Sequence, residues 1–352
     1  MTTLIVGGCG FIGLNVAEAL LRRGDDVVLA DARPPPAEAA CAFAELSGSY
    51  TYRQTDVTER TTVQALFTGD PIAQVIYGAA VTSDAEREIR SPAHVLNVNV
   101  LGLTQVIDCA RLAGVTRMIN LSSGSAYGDG GYASSGAVAP LDEVASQSAP
   151  ASLYSISKLA GEGICNRLAS LTGFDLFSVR LSTAFGPWEL DSGARDTLSA
   201  PMQAGILALR GQHATLARID ARDWTYSRDI ANAVVALLDT NTRTHRLYNI
   251  SSQALSSVVD WGVALAAHFP GFNCRVVHDN EQASVELHGT EDRLIMCTRR
   301  LRQDTGHRST TDLHNSAADF AAWIKRYPQY WGSMAAAPGT ATPSLDVNQA
   351  VD

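Results

Sequence analysis

Residues Leu4–Gly13 read LIVGGCGFIG, and this stretch decides the fold. An apolar run of strand length ends in Gly7, Gly10 and Gly13, spaced GxxGxxG, and a helical pattern then runs from Phe11 to Arg23. Glycine permits a tight turn and close approach to the backbone, and the N–H groups of a following helix face an anion such as a pyrophosphate. Glycine turns also occur as plain corners. The position of this one, at the first strand–helix junction of a βαβ pattern, gives it a dinucleotide reading. Asp31, 18 residues beyond Gly13, closes the next apolar run, Asp26–Ala30 (DVVLA). A carboxylate there accepts hydrogen bonds from ribose hydroxyls and repels a 2′-phosphate, which favours NAD over NADP. Arg33 is the nearby residue that points the other way. Asp56, after the third strand pattern, is positioned for an adenine edge.

Outward from this start, strand-like runs at Tyr50–Gln54, Gln74–Tyr77, Arg117–Leu121 and Phe174–Arg180 alternate with helical patterns at Glu59–Phe67, Pro92–Ala113 and Leu153–Thr172. Alternation of this kind predicts a parallel sheet covered by helices on both faces. The expected fold class is α/β: a Rossmann-type doubly wound parallel sheet with a smaller mixed α/β C-terminal substrate lobe. Residues 1–180 form the expected dinucleotide domain, with 228–250 returning to it. Residues 181–227 and 251–331 form the expected substrate lobe, and 332–352 a flexible tail rich in small and polar residues.

Composition narrows the function. The 352 residues carry 36 acidic and 27 basic side chains, a formal net charge of −9. That balance argues against a nucleic-acid partner, which needs a positive footprint. No apolar run approaches the roughly 20 residues that span a bilayer, so no membrane role is expected. The start, MTTLIVGG, has no basic region or cleavage site of a signal peptide, which gives a cytoplasmic expectation. Six scattered cysteines and eight histidines form no metal-ligand pattern, so no metal is expected. Lys158 and Lys325 are the only lysines, and neither follows a glycine, so a GxxxxGK[ST] phosphate loop is excluded. No GxSxG nucleophile elbow occurs.

The proton-handling candidates lie in NLSSGSAYG (120–128) and in Tyr154-Ser-Ile-Ser-Lys158. A Tyr and a Lys spaced i, i+4 share one helix face. A free phenol has a pKa of about 10, too high for a base near neutrality. A lysine ammonium and an oxidised nicotinamide both favour the phenolate. Lowering the phenol by about three units takes roughly 4 kcal/mol, within reach of two desolvated cations. Tyr154 can then take a hydroxyl proton while hydride leaves the same carbon, and Ser123 can hold the substrate oxygen.

With those residues in view, the chain resembles the extended short-chain dehydrogenase/reductases, in the NAD-dependent epimerase/dehydratase group that includes UDP-galactose 4-epimerase. The likeness covers about Leu4 to Tyr330, through VGGCGFIG, TDVTE, VIYGAA, NVNVLGL, LSSGSAYG, YSISKLAGE, VRLSTAFGP and RDWTYSRDIA. The resemblance implies NAD as cofactor, with Phe11 and Ile12 at the pyrophosphate. It places Asp31 on the ribose, Asp56 and Val57 at the adenine, Gly78, Ala79 and Ala80 along the cofactor, and Asn99 nearby. Ser123, Tyr154 and Lys158 become the catalytic trio, with Tyr154 and Lys158 also touching the cofactor. Ser123, Ser125, Thr183 and Arg222 become substrate contacts. The family also often forms a homodimer through two long helices, here 92–113 and 153–172.

The departures are informative. Dehydratases of this group carry Asp-Glu directly after the catalytic Ser or Thr, and here those positions are Gly124 and Ser125. Water elimination loses its acid and base. Thr183 replaces a usual Asn, and LHGTED (287–292) lacks the first Arg of its family counterpart. Arg222 matches a diphosphate-contacting arginine, and Arg293 is a substitute for the lost one. Trp188, Glu189 and Arg195 follow FGP in a loop that borders the substrate in this fold, as does the loop holding Arg87; each one singly reads as packing or surface. The expected activity is reversible hydride transfer at a secondary alcohol of a sugar or nucleotide-sugar, with epimerisation first. A net dehydrogenase of a smaller, non-nucleotide sugar, sugar acid or polyol stays open, because both share every motif. A non-catalytic dinucleotide-binding protein predicts a broken trio, which this chain does not have.

Overall fold

The computed structural model describes residues 1–136, 139–190, 197–278, 281–289, 291–309, 312–328 and 330. The expected tail from 332 onward and Arg195 lie outside them. The chain builds β1 (Thr2–Val6), α1 (Phe11–Arg22), β2 (Asp26–Asp31), α2 (Ala37–Ala44), β3 (Tyr50–Gln54), α3 (Arg60–Ala65) and β4 (Gln74–Tyr77). There follow α4 (Ala85–Arg90), α5 (Pro92–Leu96), α6 (Leu103–Leu112), β5 (Arg117–Ser123), α7 (Leu153–Thr172) and β6 (Asp175–Leu181). Seven strands form one parallel sheet in the order β10-β6-β5-β4-β1-β2-β3, where β10 is Leu247–Ile250. The fold is a Rossmann-type α/β fold. Alternate residues of each strand feed the two faces. Ile5, Ile76, Ile119 and Phe177 pack on one face, and Leu4, Val6, Val75 and Met118 on the other. That is why these strands read as near-continuous apolar runs.

From β1 the chain winds outward through β2 and β3, then returns to β4 on the opposite side of β1. The C-terminal ends of β1 and β4 therefore flank a switch point, the place where such sheets bind ligands. The turn after β1 and the loop after β4 touch there, and only glycine allows it. Gly7 has φ +77°, and a Cβ on it would lie 2.4 Å from the Ala79 nitrogen. A Cβ on Gly13 would lie 2.4 Å from the Gly7 carbonyl oxygen.

The predicted single helix over 92–113 is α5 and α6 joined by a π turn, Asn97–Gly102. The inserted residue turns Asn99 into the protein. The Ala-rich α2 was not expected, because three prolines before it masked its start.

The smaller lobe contains β7 (Thr183–Phe185), α8 (Ala200–Leu209), β8 (Ala214–Leu216) and β9 (Trp224–Tyr226). α9 (Ser227–Asp239) leads back to β10, and α10 (Val258–Ala266), β11 (Cys274–Val276), α11 (Arg299–Thr305) and α12 (Leu313–Arg326) complete the chain. β7 pairs with β9 and β8 with β11, both parallel. Phe185, Trp261 and Phe320 stack edge to face, at 4.9 and 5.5 Å between ring centroids. Trp188 joins Trp323 at 5.4 Å and Tyr330 at 5.8 Å. Aromatic pairs at such spacing add about 0.5–1.5 kcal/mol each beyond burial.

Asn15 and Glu18, on α1, bind the start of this lobe. Asn15 donates to the Pro187 carbonyl at 2.7 Å and accepts from the Ser227 hydroxyl at 3.0 Å. Glu18 accepts from the Trp188 indole at 2.7 Å and pairs with Arg228 at 3.1 Å. Those bonds hold Trp188 in the left-handed region, at φ 65°, which is unusual for a bulky side chain.

Candidate active site

The glycine turn leaves a cradle at the start of α1. Gly10 caps the helix without a side chain, and no acidic residue stands in the first turn. A Cβ on Gly10 would meet only the Gly7 oxygen, at 3.3 Å, so its side of the turn is open. Phe11 and Ile12 begin the helix whose dipole points there. Asp31, at the end of β2, accepts from the Cys9 N–H at 3.1 Å and the Arg33 N–H at 3.4 Å. Burial pushes its carboxyl up, while these backbone donors pull it down. Arg33 is exposed. Asp56 is exposed and accepts from the N–H and hydroxyl of Thr58, at 2.9 and 2.7 Å. Val57 is buried beneath it. Gly78, Ala79 and Ala80 lie partly buried beside the turn. Asn99 accepts from the Val81 N–H at 2.8 Å and donates to the Val81 carbonyl and the Ser157 hydroxyl, both at 3.0 Å. It staples the loop after β4 to α7. An open cradle at a helix start with a carboxylate at the neighbouring strand end fits a dinucleotide.

The proton-handling residues meet where β5 ends. Ser123 is the last residue of β5 and caps a 3-10 turn over Gly124–Tyr127 by accepting from the Ser125 N–H at 3.1 Å. The helix α7 starts at a capping box in which Ser152 and Ser155 bond reciprocally. Tyr154 and Lys158 follow, one turn apart. The Lys158 ammonium donates to the Leu121 carbonyl at 2.8 Å, two residues before Ser123, and lies 5.6 Å from the Tyr154 ring centroid. Burial pulls Lys158 down to about 8, against the upward pull of Glu162. The Ser125 hydroxyl is buried with no hydrogen-bond partner among the described residues. Such a group is open to an ordered water or a ligand. A Cβ on Gly124 would meet the Met296 sulfur at 3.1 Å, so Met296 fills the space beside the trio.

In the lobe, Thr183 is partly buried on β7, in register with Trp224. Arg222 is buried and committed: its Nε donates to Asp220 at 2.7 Å, and a terminal nitrogen donates to the His288 carbonyl. Arg218 pairs with Asp220 at 2.6 Å and also with Asp292. Burial pulls Arg222 down, Asp220 pulls it up, and the nearby Arg293 and Arg218 push it down again. Arg293 donates to the Tyr132 hydroxyl at 3.0 Å and stacks 4.7 Å from its ring. Arg218 and Arg222 thus share the Asp220 carboxylate, with Asp292 on Arg218 and Arg293 nearby. Arg87 donates to the Thr82 carbonyl at 2.8 Å. Trp188 and Glu189 do not face the cleft: Trp188 is core, and Glu189 is fully buried, accepting from the Ser199 N–H and hydroxyl, each at 2.7 Å. Their polar and aromatic character serves packing at the lobe's root.

Sequence reasoning missed Ser122, Glu162 and Arg180, which form a buried charged network behind the trio. The signal was present: Glu162 falls four residues after Lys158, on the same helix face. Among the described residues, no group of three or more His, Cys, Asp or Glu side chains could hold a metal, and no helix is long and apolar enough to cross a membrane.

A doubly wound sheet whose β5 ends in Ser123, against a helix that presents Tyr154 and Lys158 beside a glycine turn, defines an extended short-chain dehydrogenase/reductase. Comparison with known proteins is consistent with this at every level. The chain belongs to the NAD-dependent epimerase/dehydratase family, whose model matches residues 3–251. Its cofactor is NAD. It is 26% identical over 347 residues to UDP-glucuronate 4-epimerase 3 of Arabidopsis thaliana, covering 93% of this chain and 77% of that protein. It is 27% identical over 244 residues to UDP-glucose 4-epimerase of Mycolicibacterium smegmatis, covering 67% of this chain and 72% of that one. A UDP-glucose 4-epimerase of Stenotrophomonas maltophila, solved with NAD and formylated UDP-arabinopyranose, superposes with a TM-score of 0.77 at 22% identity, over 94% and 99% of the two chains. At that identity the likeness carries the fold.

Proposed function

We propose that this protein is a sugar epimerase acting on a nucleotide-linked sugar, by reversible oxidation of one secondary alcohol. The observation that carries the reading is the Lys158 ammonium, buried 2.8 Å from the Leu121 carbonyl and beside the Tyr154 ring, at the end of the strand that holds Ser123. Tyr154 is the base that takes the hydroxyl proton and later returns it. Lys158 favours the phenolate by charge and holds the nicotinamide ribose. Ser123 holds the reacting oxygen, and Ser125, whose hydroxyl has no partner among the described residues, takes a second substrate hydroxyl or carboxylate. Bound NAD supplies the acceptor and donor of hydride. Phe11, Ile12 and the three glycines hold its pyrophosphate. Asp31 holds the adenosine ribose, and Asp56 and Val57 the adenine. Gly78, Ala79 and Ala80, with Asn99 behind them, shape the groove between. Arg222, Arg293 and Thr183 face the rest of the substrate.

In this reading residues 1–180 and 228–250 serve the cofactor, and 181–227 with 251–331 the substrate. The exposed Leu96, Leu101 and Leu112 on one helical stretch, and Ile156 and Leu171 on α7, support a homodimer built on these two elements. Ile156→Glu is expected to leave a monomer by sedimentation. A cytoplasmic location completes the reading.

A second reading has its own support. Arg222 is already engaged by the Asp220 carboxylate and the His288 carbonyl, which suits a smaller substrate without a diphosphate and net dehydrogenation. One experiment separates the two. The purified protein is incubated without added NAD, with UDP-glucose or UDP-glucuronate, and the sugar's C4 configuration is followed by NMR. Interconversion without free NADH supports the epimerase. NADH release with a free sugar or polyol, and no turnover of either nucleotide sugar, overturns it.

A further inference from the structure

Ser122 and Ser123 are neighbours on β5, and their side chains leave the strand in opposite directions. Ser123 ends the strand at the candidate site. Ser122, on the other side, donates to Glu162 at 2.5 Å. Arg180 stands opposite Ser122 on β6 and grips the same carboxylate through Nε at 2.9 Å and a terminal nitrogen at 2.7 Å. All three side chains are buried, at 3% exposure for Ser122, 7% for Glu162 and 3% for Arg180. Glu162 lies one helical turn beyond Lys158 on α7. A single carboxylate therefore joins the strand residue next to Ser123 to the helix turn next to Lys158.

We propose that Glu162 is a positioning residue for the proton-transfer set, locking α7 against β5 and supplying the negative charge that keeps the Lys158 side chain an ammonium. The proposal rests on Tyr154 and Lys158 being the acid–base pair. The elements packed near Lys158 bring few other titratable groups. Its own helix brings Tyr154, Glu162 and Cys165. The 3-10 turn brings Tyr127, whose ring lies 4.3 Å from the Arg180 guanidinium. β4 brings Tyr77, bonded to the Val98 carbonyl at 2.9 Å. β6 brings Arg180, the π turn brings the neutral Asn99, and α5 brings only the exposed His94. Glu88 of α4 bonds the Leu153 N–H at 2.7 Å, at the far start of α7. Glu162 is the buried anion one turn from the ammonium, and its pull opposes the burial that drives Lys158 down to about 8. Arg180 grips the same carboxylate, so its removal is expected to leave more of that negative charge to act on Lys158.

The chain's two lysines make the test direct. The full-length protein labelled with [ε-13C]lysine gives two NMR signals, with Lys325 as an internal reference. Glu162→Gln is expected to lower the Lys158 midpoint by about one pH unit, and Arg180→Gln to raise it. A purely structural role moves stability in both variants and gives no opposite shifts. If either single variant fails to fold, Glu162→Gln/Arg180→Gln removes both members of the buried ion pair together and is expected to lower the midpoint as well. An unmoved Lys158 midpoint in Glu162→Gln or in the double variant overturns the proposal. Turnover of Tyr154→Phe is measured in parallel. Activity retained there removes the acid–base reading and leaves the Glu162–Lys158 coupling standing on its own titration.

Discussion

The catalytic corner and the arginine cluster of the lobe treat charge in opposite ways. At the corner one ammonium, Lys158, stands buried beside a phenol, with a single carboxylate one turn behind it. In the lobe Arg218, Arg222 and Arg293 crowd together, and Asp220 and Asp292 pair with the first two. The corner is assembled from one strand end and one helix, so its geometry follows from short local spacings. The cluster is assembled from segments near 220 and 292 that meet only through the fold. In the proposed reading, chemistry belongs to the first region and substrate choice to the second.

The sharpest way to break this contrast is to remove the phenol. Tyr154→Phe is expected to lower kcat by about 10²–10⁴-fold while co-purified NAD is retained. A loss confined to KM would move Tyr154 out of proton transfer. The next effect concerns stability. Lys158 titrates at about 8 in the folded protein against 10.5 when free. The folded state therefore disfavours the ammonium: the penalty is full below pH 8 and fades as pH rises from 8 toward 10.5. Lys158→Met is expected to be inactive and, near pH 7, more stable than the parent by up to about 3 kcal/mol. Urea unfolding at pH 7 and pH 10 checks that the gap narrows.

A smaller effect tests the glycine turn. Gly13→Ala places a Cβ 2.4 Å from a backbone oxygen and is expected to cost about 1–3 kcal/mol in thermal unfolding and to lose bound NAD. Gly10→Ala is expected to keep its stability and weaken NAD alone. The smallest effect belongs to the lobe. Arg293→Met is expected to raise KM for a nucleotide sugar about tenfold with kcat unchanged, a loss of about 1.4 kcal/mol in binding. Equal KM values would assign Arg293 to packing against Tyr132.

The same contrast explains what could be read from the sequence. The sheet, its helices and the cradle at Gly10 were legible because each rests on a local pattern of period, glycine spacing or strand end. α7 was legible to its boundaries, since Ser152 and Gly173 cap it. The π turn was not, because an inserted residue leaves the apolar pattern of 92–113 almost unchanged while turning Asn99 inward. Trp188 and Glu189 were ambiguous for a different reason. Their partners, Glu18 and Ser199, come from distant or irregular segments, and burial of a charged side chain cannot be seen until those partners are known. Arg222 was legible as a motif, but its engagement by Asp220 and His288 was not.

Asn15 and Glu18 tie the helix behind the glycine turn directly to the root of the lobe. Two domains joined through buried side-chain bonds resist parting at that seam, so opening there is expected to be smaller than elsewhere. The cofactor would thus stay gripped through each exchange of sugar, as suits a dinucleotide that is returned to its starting state at the end of every cycle.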